Sequence, residues 1–348
     1  MSTMNLNCPM PKLDFDTITL GHGSGGKLTN ILLDSGVFEV LKNDLLDKRH
    51  DGAVLNLSGQ VAFTTDSFVV SPISFPGGNI GELAVHGTVN DLAMCGAIPQ
   101  YLSLSFIIEE GLPMTEFWEI LISIRDACIA SGVQVVTGDT KVVERGKGDK
   151  IFINTTGVGQ LHPAADIDLN RIEAGDTIIL SGEMAAHGMA IMSVREGLEF
   201  ESQIESDTQP LNHLVKDLLD EVGPAIKLLR DPTRGGVATV LNEIARDSAL
   251  GIGITQHDLP INKQVASACE ILGLDPLYVA NEGLFLAVVA KEAAEPFLTA
   301  CRANPAGRSA KVIGTVTEEH PQKVVMTSGI GGKRVVNMLT GEQLPRIC

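Results

Sequence analysis

Basic residues are in the minority in this chain. Lys and Arg number 26 against 43 Asp and Glu, a formal charge of −17. A surface of that sign repels polyanions, so nucleic acid and anionic membrane are not expected as partners. Any polyphosphate ligand would need metal ions to offset the protein's own charge. Long hydrophobic runs are missing too. No stretch of about 18 apolar residues occurs, which leaves nothing to span a membrane. The start, Met1-Ser-Thr-Met-Asn-Leu-Asn-Cys8, lacks the basic and apolar regions of a signal peptide. The six cysteines, at 8, 95, 128, 269, 301 and 348, show no CxxC spacing, which argues against a zinc site or a disulfide scaffold and for a reducing cytoplasm. Aromatic residues make up only 4%, so the core must come from Val, Ile, Leu and Ala, as α/β proteins often arrange it. The 348 residues, 44% hydrophobic, have room for two such cores.

What is present alternates strands and helices. Val61–Val70, Val133–Thr137 and Ile151–Thr156 are strand-like. After Asn79, Val85, Val89 and Leu92 form an apolar helical stripe, while Glu82, His86 and Asn90 form a polar stripe of the kind that ordinarily faces solvent. Residues 115–131 read as a second helix. A loop near His162-Pro-Ala-Ala and Glu173-Ala-Gly-Asp176 marks a boundary, and Thr177–Leu180 opens the second half as a strand. Asp231-Pro232 suits the N-cap and first position of a helix that continues with Val237, Val240, Leu241, Ile244 and Ala245. Leu284–Val289 and Lys323–Met326 are later strands.

Several residues could carry chemistry. Gly21-His-Gly-Ser-Gly-Gly-Lys27 satisfies two glycine patterns at once, between a strand-like Thr17–Leu20 and a helix-like Leu28–Leu33. A phosphate loop needs Ser or Thr after the lysine, and Leu28 stands there. The backbone around Gly25 and Gly26 can still approach an anion, with Lys27 adding charge; a plain Gly-rich turn fits as well. Asp51, Asp66, Asp91 and Asp139 are each an ordinary turn former or cap when taken singly. As a set of carboxylates on different elements they suit Mg²⁺, which takes oxygen ligands and shares them with phosphates. Asp139 and Lys141, two apart in an extended segment, share a face. Glu282, before a buried-looking strand, would have its pKa raised by partial burial, which suits proton transfer; a surface acid in a turn is the plainer reading. His187 fits a structural turn or a site equally. Ser328–Arg334 reads as flexible, so Cys348 would ride on an arm of about 50 Å when extended.

Together these motifs resemble a known family. Gly-His-Gly-Ser-Gly-Gly-Lys27, Gly-Thr-Val-Asn-Asp-Leu-Ala93, Val-Thr-Gly-Asp-Thr-Lys-Val142, Asp-Pro-Thr-Arg-Gly-Gly236, Ala-Asn-Glu-Gly283 and Pro-Arg-Ile-Cys348 recur in this order in the HypE carbamoyl dehydratases of [NiFe]-hydrogenase maturation. The inner motifs belong to the wider superfamily of aminoimidazole ribonucleotide synthetase and selenophosphate synthetase; Pro-Arg-Ile-Cys348 selects HypE. The resemblance implies an α/β N-terminal domain (1–165) whose sheet joins a second subunit's in a homodimer. It implies an α+β C-terminal domain (166–330), a mobile tail (331–348), and ATP bound between the domains. It further implies that a HypF carbamoyltransferase loads Cys348, that ATP then drives dehydration to a thiocyanate, and that the cyano group passes to a HypC–HypD complex. By motif match, Glu282 would be the base. Lys141, Lys27, Gly25, Gly26, Asn90, Thr233, Arg234 and Gly235 would hold the nucleotide. Asp51, Asp66, Asp91, Asp139 and Asp231 would hold Mg²⁺. His86 and the Met1–Asp14 segment carry no assigned role. Two other readings remain. One is a selenophosphate synthetase-like enzyme, disfavoured because Cys8 precedes Pro9 with no Gly-Cys-Lys context. The other is a nucleotide-sensing scaffold without catalysis.

Overall fold

The computed structural model describes residues 15–49, 52–197, 203–339, 344 and 346–348. Asp51, Cys8 and Pro345 therefore lie outside the described residues.

The N-terminal half forms a four-stranded sheet from β1 (Val61–Phe68), β2 (Ala97–Glu109), β3 (Gln134–Val143) and β4 (Ile151–Leu161), in the order β1-β4-β2-β3. The parallel β2–β3 pair is joined by a long helix (Met114–Ser131), the usual crossover for parallel strands; the other pairs are antiparallel. One sheet face is covered by that helix and by the helix Ile80–Met94. Its buried positions include Phe68, Leu102, Leu104, Phe106 and Ile153. The other face is open, and Phe63 is 73% exposed on it. In chain order the helices longer than one turn are α1 (Lys27–Leu32), α2 (Ile80–Met94), α3 (Met114–Ser131), α4 (Ala186–Arg195), α5 (Asn212–Val222), α6 (Gly236–Ser248), α7 (Lys263–Leu272) and α8 (Ala294–Ala303) among the described residues.

The second half builds a seven-stranded sheet from β5 (Thr177–Leu180), β6 (Ile226–Arg230), β7 (Gly251–Thr255), β8 (Leu286–Val289), β9 (Lys311–Thr317), β10 (Val324–Thr327) and β11 (Lys333–Val336). Their order is β11-β10-β7-β9-β5-β8-β6, and only β10–β7 is parallel. Alternate residues serve two cores. Ile178, Leu180, Leu286 and Val288 pack with α6 on one face; Ile179, Ala287 and Val289 pack with α5 and α8 on the other. Helices on both faces explain why these central strands are apolar at all positions but Thr177.

The structure departs from the sequence expectations at four places. Thr17–Leu20 is not a strand: only Thr17 bridges to Pro113, and Leu20–Gly23 turns as a short 3-10 helix. Helix α6 starts at Gly236, not Pro232. Gly235 and Gly236 both take positive φ, and a Cβ on Gly236 would stand 2.5 Å from the Leu277 carbonyl oxygen, so the entry demands glycine. Ser328–Arg334 is not simply a flexible run, because Lys333–Val336 adds the edge strand β11 to the C-terminal sheet. Finally, the polar stripe of α2 is not solvated. His86 and Asn90 are buried because residues 205–212 lie across them, and thirteen of the helix's fifteen residues are buried. Ala93 and Met94 of the same helix join a core of the C-terminal half.

Candidate active site

Two groups of site residues emerge, one at each edge of the N-terminal sheet. At the β3 edge, the Gly-rich loop folds over the strand. Gly23 packs so close that a Cβ would lie 2.4 Å from the Val142 nitrogen, which leaves room only for glycine. The Thr29 hydroxyl closes the loop, accepting from the Gly25 N–H (2.9 Å) and donating to the Gly21 carbonyl (3.3 Å). Thr29 was not singled out from the sequence; a threonine beside a glycine loop has no distinguishing signal. Gly26 is the N-cap of α1, and Lys27 begins the helix, exposed. Beneath the loop lies a cavity of about 180 Å³, with Leu33, Val37, Phe38 and Phe106 in its wall and Gly25, Asp139 and Lys141 at its rim. Asp139 and Lys141 do share a face: the Lys141 ammonium donates to both carboxylate oxygens at 2.5 and 2.6 Å. This hydrogen bond holds the Asp139 pKa below its ordinary value.

At the other edge, β1 and α2 meet the C-terminal half. Asp66 on β1, Asp91 on α2, Asp231 and Thr233 before α6, and Glu282 before β8 line one small cavity of about 50 Å³ together with Arg234 and Cys348. Arg234 and Gly235 also border a larger cavity of about 400 Å³, lined as well by Met338, Leu339, Leu344 and residues 346–348. Burial raises each of these acids, and the Asp91 charge raises Asp66 and Asp231 further. Burial, then the Asp91 charge, pushes Asp231 up to about 7. Asp66 is raised by burial and Asp91. Asp91 is raised by burial, offset by a hydrogen bond from Thr64 (2.8 Å) and by Arg230. Glu282, 5% exposed, is raised well above the carboxylate range by burial, then by Asp231, Asp207 and Asp66, and its Oε1 has no hydrogen-bond partner.

Cys348 is docked into this cavity. Its thiol is pushed up to about 12 by burial and the Glu282 charge, while the neighbouring Arg234 works the other way. Glu282 lines the same cavity as the thiol. Thus the sulfur sits between a guanidinium and a buried carboxyl, contributed by the same chain.

The single set of metal-binding aspartates expected from sequence divides here. Asp66 pairs with Thr155, Thr155 with Leu104, and Leu104 with Gly138, so Asp66 and Asp139 are three strands apart, about 14 Å. They also face opposite ways, since Asp139 aligns with the outward Ser105 while Asp66 alternates with exposed Thr65 and Ser67. Within one chain Asp139 and Lys141 therefore do not reach Glu282, and Asp51 is not described. Asp66, Asp91 and Asp231 do meet. Their raised pKa values and the orphaned Glu282 oxygen fit a site that could take a divalent cation. Among the described residues, however, no three His, Cys, Asp or Glu side chains converge enough to hold an ion unaided. An ion here would draw its remaining ligands from water or a bound phosphate.

Asn90 has another use. Its amide donates to the carbonyls of Gln209 (3.1 Å) and Glu282 (3.3 Å), and its oxygen accepts from Leu211 N–H (2.8 Å). It holds the Glu282 main chain, with its polar atoms engaged by backbone. Asp207 does related work and was missed in the sequence, where Ser206-Asp207-Thr208 is an unremarkable polar triplet. Its carboxylate accepts from Glu282 N–H (3.2 Å) and Gly283 N–H (3.1 Å), yet burial still raises it to about 6.

The two sheet domains, the glycine loop and the shared acid cavity define a two-domain protein of the AIR synthase class. The model of AIR synthase related protein, N-terminal domain, matches residues 49–161, and that of its C-terminal domain matches 173–327. A carbamoyl dehydratase HypE from Azotobacter vinelandii is 49% identical over 97% of this chain and 100% of its own length. A crystal structure of hydrogenase maturation protein HypE in complex with ATP superposes with a TM-score of 0.92 at 46% identity, over 95% of this chain and 99% of that one. A HypE–HypF complex contains a chain matching at TM-score 0.78 and 44% identity, over 88% and 99%. Within the AIR synthase class, the chain belongs to the carbamoyl dehydratase HypE family.

Proposed function

We propose that this protein uses ATP to dehydrate an S-carbamoyl group on its own Cys348 to a thiocyanate, supplying cyanide ligands for the iron of a [NiFe]-hydrogenase. The observation that carries the reading is the Cys348 thiol docked between Arg234 and Glu282, inside the acid cavity. A carbamoyl group on that sulfur enters the same space.

The chemistry follows from the residues. The carboxamide oxygen attacks the γ-phosphorus of ATP; the P–O bond to ADP breaks and a phosphorylated imidate forms. One N–H proton is lost in that step. Loss of the second N–H proton expels phosphate and leaves the nitrile, giving S–C≡N, ADP and phosphate. Glu282 is the base. Its burial and acidic neighbours make it hold a proton more tightly than an ordinary carboxylate, which brings its basicity toward the working pH. Arg234 steadies charge on the carbamoyl oxygen and phosphate. Mg²⁺, held by Asp66, Asp91 and Asp231, would neutralise the phosphates. The Gly25–Lys27 loop, its cavity and Lys141 are assigned to the nucleotide. The ATP complex of the related HypE supports ATP as the ligand.

The nucleotide groups and the Cys348 site occupy opposite edges of the sheet, and a second subunit resolves that separation. We assign the open sheet face, with Val61, Phe63 and Ile107 exposed on it, to a homodimer that pairs the two sheets. The carbamoyl donor is a HypF carbamoyltransferase, in line with the related HypE–HypF complex. The acceptor of the cyano group is a HypC–HypD complex.

The experiment is intact-mass analysis of Cys348 after carbamoylation, with and without Mg-ATP. The expected result is loss of one water from the adduct, abolished by Cys348→Ser at loading and by Glu282→Gln at dehydration. ATP consumption with an unchanged adduct mass refutes the reading.

A further inference from the structure

Cys348 is placed largely by contacts its own side chain does not make. Residues 346–348 lie beside Val69–Ser71, with Arg346 at a φ of 54°; Ser71 N–H donates to the Arg346 carbonyl (3.2 Å) and Val69 N–H to a main-chain oxygen of Cys348 (3.3 Å). The carbonyl between them, Ile347, points the other way and meets His187 Nε2 at 2.9 Å. His187 is fully buried in the first turn of α4, with the Phe75 ring against its edge at 5.5 Å. Its Nδ1 lies 2.7 Å from the Ser206 hydroxyl.

The tautomer follows from the partners. A carbonyl cannot donate, so Nε2 carries the proton. Burial holds the ring neutral, so Nδ1 is bare and accepts from the Ser206 hydroxyl, which in turn accepts from Thr208 N–H (3.1 Å). Ser206 is anchored by its own N–H to the Pro76 carbonyl (2.8 Å). At the far end of α4, Arg195 donates to the Ser71 carbonyl (2.5 Å) and to the Arg346 carbonyl.

Donors therefore read residues 346–348 from both edges. A slip of one residue would bring different carbonyls to the Ser71 and Val69 N–H groups and to His187, and a different side chain to the cavity. It would put an apolar Ile347, now 3% exposed, where the sulfur must be. We propose that His187, oriented by Ser206, is a positioning residue that sets the register of segment 346–348 and so places the Cys348 sulfur between Arg234 and Glu282. The proposal deepens the dehydratase reading and rests on it for its purpose. Its geometry can be tested without ATP or a carbamoyl group.

The test is the rate at which iodoacetamide labels Cys348 in the full-length protein, read by peptide mass spectrometry. The buried Cys269 and Cys301 serve as folding references. His187→Ala leaves the Ile347 carbonyl buried without a donor, and labelling should rise roughly tenfold or more. Ser206→Ala should raise it less. His187→Gln, which keeps an N–H donor, should return it toward wild type. In single-turnover dehydration of preloaded protein, His187→Ala should be slow and His187→Gln partly rescued. Labelling within twofold of wild type in both alanine variants, with the reference cysteines protected, overturns the proposal. If His187→Ala exposes the references, Ser206→Ala against His187→Gln decides on the same criterion. An adduct that never loses water in a protein whose labelling responds as expected overturns the dehydratase reading and leaves the register role standing.

Discussion

Removing one acid from the interdomain cavity should make the metal-free protein more stable. Asp231 is the informative choice, because it is buried and its pKa is raised from 3.8 to about 7. A carboxylate raised in the folded state destabilises the fold once it is charged. The effect is absent below about pH 3.8, grows as pH rises, and is complete above about pH 7. The shift of about three units corresponds to roughly 4 kcal/mol at 1.36 kcal/mol per unit. Some of it returns through an imperfectly placed amide, so Asp231→Asn should gain about 2–4 kcal/mol at pH 8. For domains of this size that is on the order of 5–15 °C in the melting temperature. The assay is thermal unfolding of wild type and Asp231→Asn in EDTA across pH 4 to 9. The two curves should converge at the acid end and separate steadily up to neutrality. Added Mg²⁺ should then stabilise wild type more than the variant at pH 8, since the ion offsets the repulsion that the substitution removes. A variant no more stable than wild type at pH 8, or equally stabilised at pH 4, would refute the idea that the cavity stores uncompensated negative charge.

Other outcomes follow from the same geometry. Lys141→Ala should weaken ATP binding by about tenfold, measured by calorimetry, as a charged donor to the phosphates is lost. Phe63→Glu should shift the protein from dimer to monomer in light scattering and leave its circular dichroism intact, since the residue projects from the open sheet face. Asp207→Ala should destabilise the fold by about 2 kcal/mol in urea and lower the dehydration rate, as the N–H groups of Glu282 and Gly283 lose their acceptor.

Much of the fold was legible because its strands carry strong local signals. The strands at 61, 151 and 177 and the helices at 80 and 114 appear where apolar periodicity and glycine boundaries put them. The motifs around Asp66, Asp91, Asp231, Glu282 and Cys348 pointed to residues that do come together. The failures have one physical source, which is contact between segments distant in sequence. The stripe Glu82, His86 and Asn90 has the spacing of a solvated face, and only the arrival of residues 205–212 buries it. Alternation in β3 put Asp139 beside Lys141 but could not say that this face points away from Asp66. The start of α6 was misjudged because Asp-Pro is a strong local cap signal, overridden here by the close approach of Gly236 to residues 277–279. His187 has no local signature for the Ile347 carbonyl, which lies 160 residues away.

Helix α2 belongs to both halves of the molecule. Leu83 and Val85 pack into the N-terminal core, while Ala93 and Met94, about two to three turns on, pack into a C-terminal one. Neither half can melt without stripping apolar surface from the other, so calorimetry should record one cooperative transition where two domains would suggest two. The covalent boundary near residue 165 is then not the mechanical one. A chimera that exchanged the C-terminal half with a relative's would inherit a mismatched interface unless the last turns of α2 were exchanged with it.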